Sequence, residues 1–138
     1  MKGILWAVLQ QPIAIERRYP NGEPHHITLQ YGVEQSDWEW AIGQEFEAVI
    51  WAEAWSDRIQ ALRVHIAQSL VLCCNAYPHI TVSWVDGAEP VESNTLLAEL
   101  AAGAKHQFCP WNPRQHVPCR IEFHEWEERT IEVQGVQS

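Results

Sequence analysis

Two short stretches of the chain carry the same chemistry. His26-Ile27-Thr28-Leu29 and His79-Ile80-Thr81-Val82 each pair an imidazole with a hydroxyl two residues on, and each follows a proline, Pro24 or Pro78. Both sit among β-branched and aromatic residues and so read as strands. Side chains alternate across a strand, so His26 and Thr28 share one face while Ile27 and Leu29 share the other. The same holds for His79 and Thr81 against Ile80 and Val82. A neutral imidazole takes a proton from water, and a protonated one gives a proton to a leaving oxygen. Hydroxyls donate hydrogen bonds to a charged oxygen between them. Two such pairs across one cleft suit a phosphodiester.

Those strands need a scaffold, and 138 residues with 46% hydrophobic content predict one domain, residues 1–138, with a real core. Eight tryptophans exceed what packing alone requires, so one or two are expected to stack on a ligand. The net charge of −9, with nine Lys and Arg, excludes a long nucleic-acid groove. A small anion or a single nucleic-acid end, gripped locally, stays compatible. Cys73 and Cys74 lie in an apolar run and read as buried residues, with no disulfide framework. No stretch reaches transmembrane length and the N-terminal apolar run lacks a cleavage site, so a soluble cytoplasmic protein with no membrane partner is expected. Oligomeric state is not legible.

In chain order, residues 3–9 form a buried strand and residues 16–25 a turn-rich loop. Arg17, Arg18 and Tyr19 in that loop are either solvated or contacts to a phosphate or base. A strand runs from His26 to Val33, and residues 36–43 make a helical turn capped by Ser36. Residues 45–54 and 58–67 form a hairpin turning at Ser56-Asp57, with Leu62, Val64 and Ile66 on one face and Arg63 and His65 on the other. A brief apolar run at 70–74 precedes the second motif strand, His79 to Val85. The one good helix spans Thr95 to Lys105, capped by Ser93 or Asn94, with Leu96, Leu97 and Leu100 inward. Residues 106–119, with Pro110, Pro113 and Pro118, read as a loop. Its His106, Cys109, His116 and Cys119 match a zinc quartet by residue type, against which stand mixed pairs and costly prolines. Residues 120–126 and 129–133 alternate as closing strands. Trp126 either packs there or meets a ligand, as does Trp84 after the second motif.

Two His-x-Thr-x motifs on strands resemble the 2H phosphoesterase superfamily. Tyr77-Pro78-His79-Ile80-Thr81-Val82, followed after a turn by Pro90-Val91-Glu92-Ser93-Asn94-Thr95-Leu96-Leu97, is similar to the cyclic phosphodiesterase domain of fungal tRNA ligases. The similarity covers roughly residues 24–100. Ser83-Trp84 stands where the family has Gly-Thr. The resemblance implies a two-lobed α+β fold of antiparallel sheets with pseudo-twofold symmetry and few helices, one motif in each lobe. It implies cleavage of a 2′,3′-cyclic phosphate without metal or other cofactor, with His26, Thr28, His79 and Thr81 catalytic. Arg17, Tyr19, Trp84 and Trp126 are the candidate substrate contacts. The partner is then an RNA end or a cyclic nucleotide. Two alternatives stand beside it: cleavage of cyclic di- or oligonucleotide signals, as phage-borne relatives do, and nucleotide binding without turnover.

Overall fold

The computed structural model describes residues 2–66 and 73–126. Six strands appear in them: β1 (Lys2–Leu9), β2 (His26–Glu34), β3 (Glu45–Trp55), β4 (Ile59–His65), β5 (His79–Trp84) and β6 (Gln107–Glu125). A 3₁₀ turn, Gln35–Asp37, follows β2, and one helix, α1 (Glu92–Ala101), follows β5. The expected strand at 129–133 and most of the apolar run at 70–74 lie outside the described residues. No helix among the described residues is long and apolar enough to cross a membrane.

The strands close into one barrel in the order β1-β2-β5-β4-β3-β6, with every neighbour antiparallel. This corrects the two-lobed α+β expectation. Two features turn two lobes into one barrel. The motif strands β2 and β5 pair with each other at Ile27 and Ile80. On the other side β6 is long enough to serve both halves, pairing with β1 through Cys119–Glu125 and with β3 through Gln107–Arg120. One interior results. Ile27 and Leu29 from the first motif pack with Ile80 and Val82 from the second, against Leu5, Ala7, Ile50, Leu62, Val64 and Ile121.

The loop expected at 106–119 is instead most of β6, despite its prolines. Residues 107–118 pair with β3 alone, because the β1 ladder begins at Cys119. Their other side carries no ladder, only Gln10 N–H on the Pro118 carbonyl (2.9 Å), so a missing N–H there breaks no ladder bond. Pro110 and Pro118 occupy register positions opposite Ala52 and Glu47, and Pro113 falls in the stretch where the register shifts.

Helix α1 lies outside the barrel. Leu96 and Leu97 bury against Ala54, Ile59 and Ala61, flanked by Tyr77 and Trp84. The helix starts earlier than expected, with Val91 at the cap and no capping side chain. Ser93 is fully buried and spends its hydroxyl on Thr81 (2.8 Å) instead of a backbone amide. Past the last turn Gly103 takes φ +96°, and Ala104 N–H reaches Glu99 C=O, a glycine-terminated helix end.

Candidate functional site

The β2–β5 pairing decides where the motif side chains meet. In an antiparallel ladder centred on Ile27 and Ile80, His26 falls across from Thr81 and Thr28 across from His79. The isoleucines point into the barrel core, so all four polar side chains project from its outer surface. The structure therefore brings His26, Thr28, His79 and Thr81 together on one patch. The ladder is short because the chain entering β5 takes over β2's next positions. Cys74 N–H bonds Leu29 C=O (2.7 Å) and the Cys73 thiol bonds Thr28 C=O (3.3 Å).

Each motif residue has a distinct setting. His79 is 8% exposed, and its Nδ1 lies 2.7 Å from Tyr77 C=O. That bond fixes a proton on Nδ1 and leaves Nε2 as the free nitrogen. Burial lowers the pKa of His79, the Tyr77 carbonyl opposes the shift, and the Arg63 charge adds to it. His26 is half-buried and tilts against Trp6, ring centroids 4.1 Å apart. Its Nδ1 is 3.1 Å from Nδ1 of His25. Burial, then repulsion from His25, His124 and His79, pulls its pKa down to about 4. That His79 is among the charges acting on His26 is itself a mark of their proximity. Thr81 shares a hydrogen bond with Ser93; with Ser93 donating, Thr81 keeps its own O–H for a ligand.

Strand neighbours widen the patch. On β1, Trp6 stacks on His124 of β6, centroids 4.4 Å apart. On β4, Arg63 stands in register with His79. Trp6, His25, His124 and Arg63 were not singled out from sequence. Alternation alone puts Arg63 on an outward face, and the His25-His26 doublet was a visible signal; the all-apolar run at 3–9 gave none for Trp6. What sequence withheld was which strands lie side by side.

The other expected contacts sit elsewhere. Arg17 Nη1 bonds the carbonyls of Pro20 (3.3 Å) and Gly22 (2.8 Å), holding its own loop. Tyr19 O–H donates to Ser56 C=O. Arg18 pairs with Glu53 through Nε and Oε2 at 2.7 Å and lies 3.5 Å over the Trp55 ring. Buried Gln60 and Ser83 complete this network: Ser83 donates to Gln60 Oε1 (2.6 Å), and Gln60 Nε2 donates to Glu53 (2.8 Å). The residue standing where the family has a glycine is thus tied into this network. Trp84 ends β5, about 17 Å along the strand from His79. It packs beside Leu96 and Leu97 and covers Gly22, where its ring would be 2.3 Å from an added Cβ. Trp126 lies beside exposed Tyr31 (centroids 5.1 Å), at the far end of β2 from His26.

The zinc-type residues are not gathered. His106 bonds Glu99 (2.7 Å), His116 bonds Glu47 (3.0 Å), Cys109 is exposed and Cys119 is buried in the core. Among the described residues no group of three or more His, Cys, Asp or Glu is placed to hold a metal ion.

A search of curated proteins returns no match. The model of one family, the fungal tRNA ligase phosphodiesterase domain, matches residues 24–109, well over half the chain and both motifs. With the two motifs side by side on the barrel wall and that match spanning them, the chain belongs to the family of the fungal tRNA ligase cyclic phosphodiesterase domain, a 2H phosphoesterase.

Proposed function

We propose that the protein hydrolyses 2′,3′-cyclic phosphate ends of RNA by imidazole acid–base chemistry that needs no metal. The observation that supports this is the antiparallel pairing of the two motif strands at Ile27 and Ile80, with the motif isoleucines turned into the core. Family membership supports a cyclic phosphodiesterase. A water oxygen attacks phosphorus while one imidazole takes its proton. The bond from phosphorus to one ribose oxygen breaks, and the other imidazole protonates that oxygen. A phosphomonoester and a free hydroxyl result. Thr28 and Thr81 donate to the non-bridging oxygens, where charge grows in the transition state.

We assign His26 as base and His79 as acid. Burial, and after it His25, His124 and His79, oppose the protonated form of His26, so it starts the cycle neutral. Burial lowers the pKa of His79 as well, but its Nδ1–H has a carbonyl acceptor that opposes the shift, a support for the imidazolium that His26 lacks. A bound phosphate raises both pKa values and readies His79 to donate.

The test is incubation with an RNA ending in a 2′,3′-cyclic phosphate, in EDTA, with chromatographic resolution of products. A 2′- or 3′-monophosphate end is expected. A cyclic dinucleotide is the comparison substrate, and its preferential cleavage would redirect the substrate reading. The role assignment is tested with a p-nitrophenyl phosphodiester, whose leaving group needs no proton. His79→Ala should regain most of its rate on that substrate and His26→Ala should not; the reverse pattern swaps the roles.

A further inference from the structure

Among the described residues Arg63 has no carboxylate partner. Elsewhere Arg18 pairs with Glu53 and Arg58 with Glu92. Arg63 makes no ion pair among the described residues, and its Nε is buried with no hydrogen-bond partner there. Aromatic rings hold the guanidinium instead: Trp51 at 4.9 Å and Tyr77 at 5.3 Å from its central carbon. Trp51 sits at the point where β3 slips register against both its neighbours, a bulge that re-aims a side chain. A buried donor left unmet is costly, and in a chain of net charge −9 carboxylates are plentiful. Among the described residues no carboxylate and no hydrogen-bond acceptor meets this Nε–H.

Its position says what. Arg63 is the register partner of His79, on the same outward face. It also lines a cavity of about 340 Å³, otherwise walled by Leu97, Leu100 and Ala101 of α1 and Phe108 of β6. Phe108 is 41% exposed and stands edge-on to Trp51 at 5.7 Å. An apolar slot bounded by an aromatic ring and a guanidinium suits a nucleobase, and a guanidinium suits a phosphoryl oxygen.

We propose that Arg63 and this cavity form a nucleotide subsite beside His79: the guanidinium binds a phosphoryl oxygen and the attached nucleoside's base enters between α1 and Phe108. The proposal rests on the phosphodiesterase reading for its substrate but not for its binding.

The experiment is calorimetric titration of the whole chain with adenosine 2′-monophosphate, adenosine and inorganic phosphate. Arg63→Met keeps the bulk and removes the donor. Ala101→Trp fills the slot from an exposed helix position and serves even where Arg63→Met proves unstable. Wild type should bind the nucleotide more tightly than phosphate or adenosine. Arg63→Met should weaken nucleotide binding about 10–100-fold, the loss expected for one charge-assisted hydrogen bond. Ala101→Trp should weaken nucleotide binding while leaving phosphate binding unchanged. Equal affinity for phosphate and nucleotide, no binding to wild type, or wild-type affinity in folded variants would overturn the proposal. The two readings fail separately. Arg63-dependent binding without hydrolysis of cyclic phosphate ends removes the catalytic reading and keeps the subsite. Hydrolysis that needs His26 but is indifferent to both variants keeps the catalysis and removes the subsite.

Discussion

Titrating His26 should cost the fold a calculable amount of stability. In the unfolded chain this imidazole takes its proton near pH 6.5; in the folded protein it does so at about pH 4. Between those values the unfolded state binds more protons. Stability is therefore flat above about pH 6.5 and falls as pH drops from there toward 4. A gap of about 2.5 pH units corresponds to about 3 kcal/mol in full, of which about 1.4 is lost by pH 5.5 and about 2.5 by pH 4.5. His79, also lowered by burial, acts in the same direction. Carboxylates contribute near the bottom of the range, so the quantity to measure is a difference. Urea unfolding of wild type and His26→Gln at pH 7.5, 6.5, 5.5 and 4.5 isolates it, and the imidazole proton shifts of both give the folded-state pKa directly. Wild type should lose about 1–3 kcal/mol more than the variant between pH 7.5 and 4.5. Parallel curves, or a His26 that titrates near 6.5, would refute the buried, charge-crowded setting on which the base assignment rests.

Three further changes test separate parts of the structure. Arg18→Ala leaves Glu53, 12% exposed, without its cation and should lower stability by about 1–3 kcal/mol in urea unfolding while kcat/KM stays within a few-fold of wild type. A large loss of kcat/KM in the folded variant would instead place that loop at the substrate. Ile80→Ala empties a fully buried position where the motif strands join, and should cost about 2–5 kcal/mol by the same assay. His25→Ala removes one of the two imidazole neighbours that, after burial, do most to oppose the proton on His26, so the lower limb of the pH–rate profile should move up. An unmoved limb would mean that His25 does not act on the base.

Local apolar runs and alternation were enough to find five of the six strands and the C-terminal part of β6. Leu62 and Val64 are inward and Arg63 and His65 are not, as the polar and apolar faces of β4 required. The motif faces were legible for the same reason. Closure was not, because it depends on partners far apart in sequence: Ile27 meeting Ile80, and β6 bridging β1 and β3. Prolines misled at 107–118, since a proline forbids strand pairing only where its N–H would have met a neighbour, and one side of that stretch carries no ladder. Helix α1 was displaced by a competing bond, Ser93 serving Thr81 and not the helix start. Arg63 was seen as one residue on a polar face, and its meaning came only from the strand beside it.

The central claim is that the two motifs act on one phosphorus. Its most direct measurement is kcat/KM on an RNA with a 2′,3′-cyclic phosphate end, in EDTA, for wild type, His26→Ala, His79→Ala and the double variant. Each single change should cost about 10²–10⁴-fold, and the double should cost little more than the worse single, because base and acid serve one step. Full activity in either single variant, or losses that simply multiply in the double, would contradict a shared reaction centre.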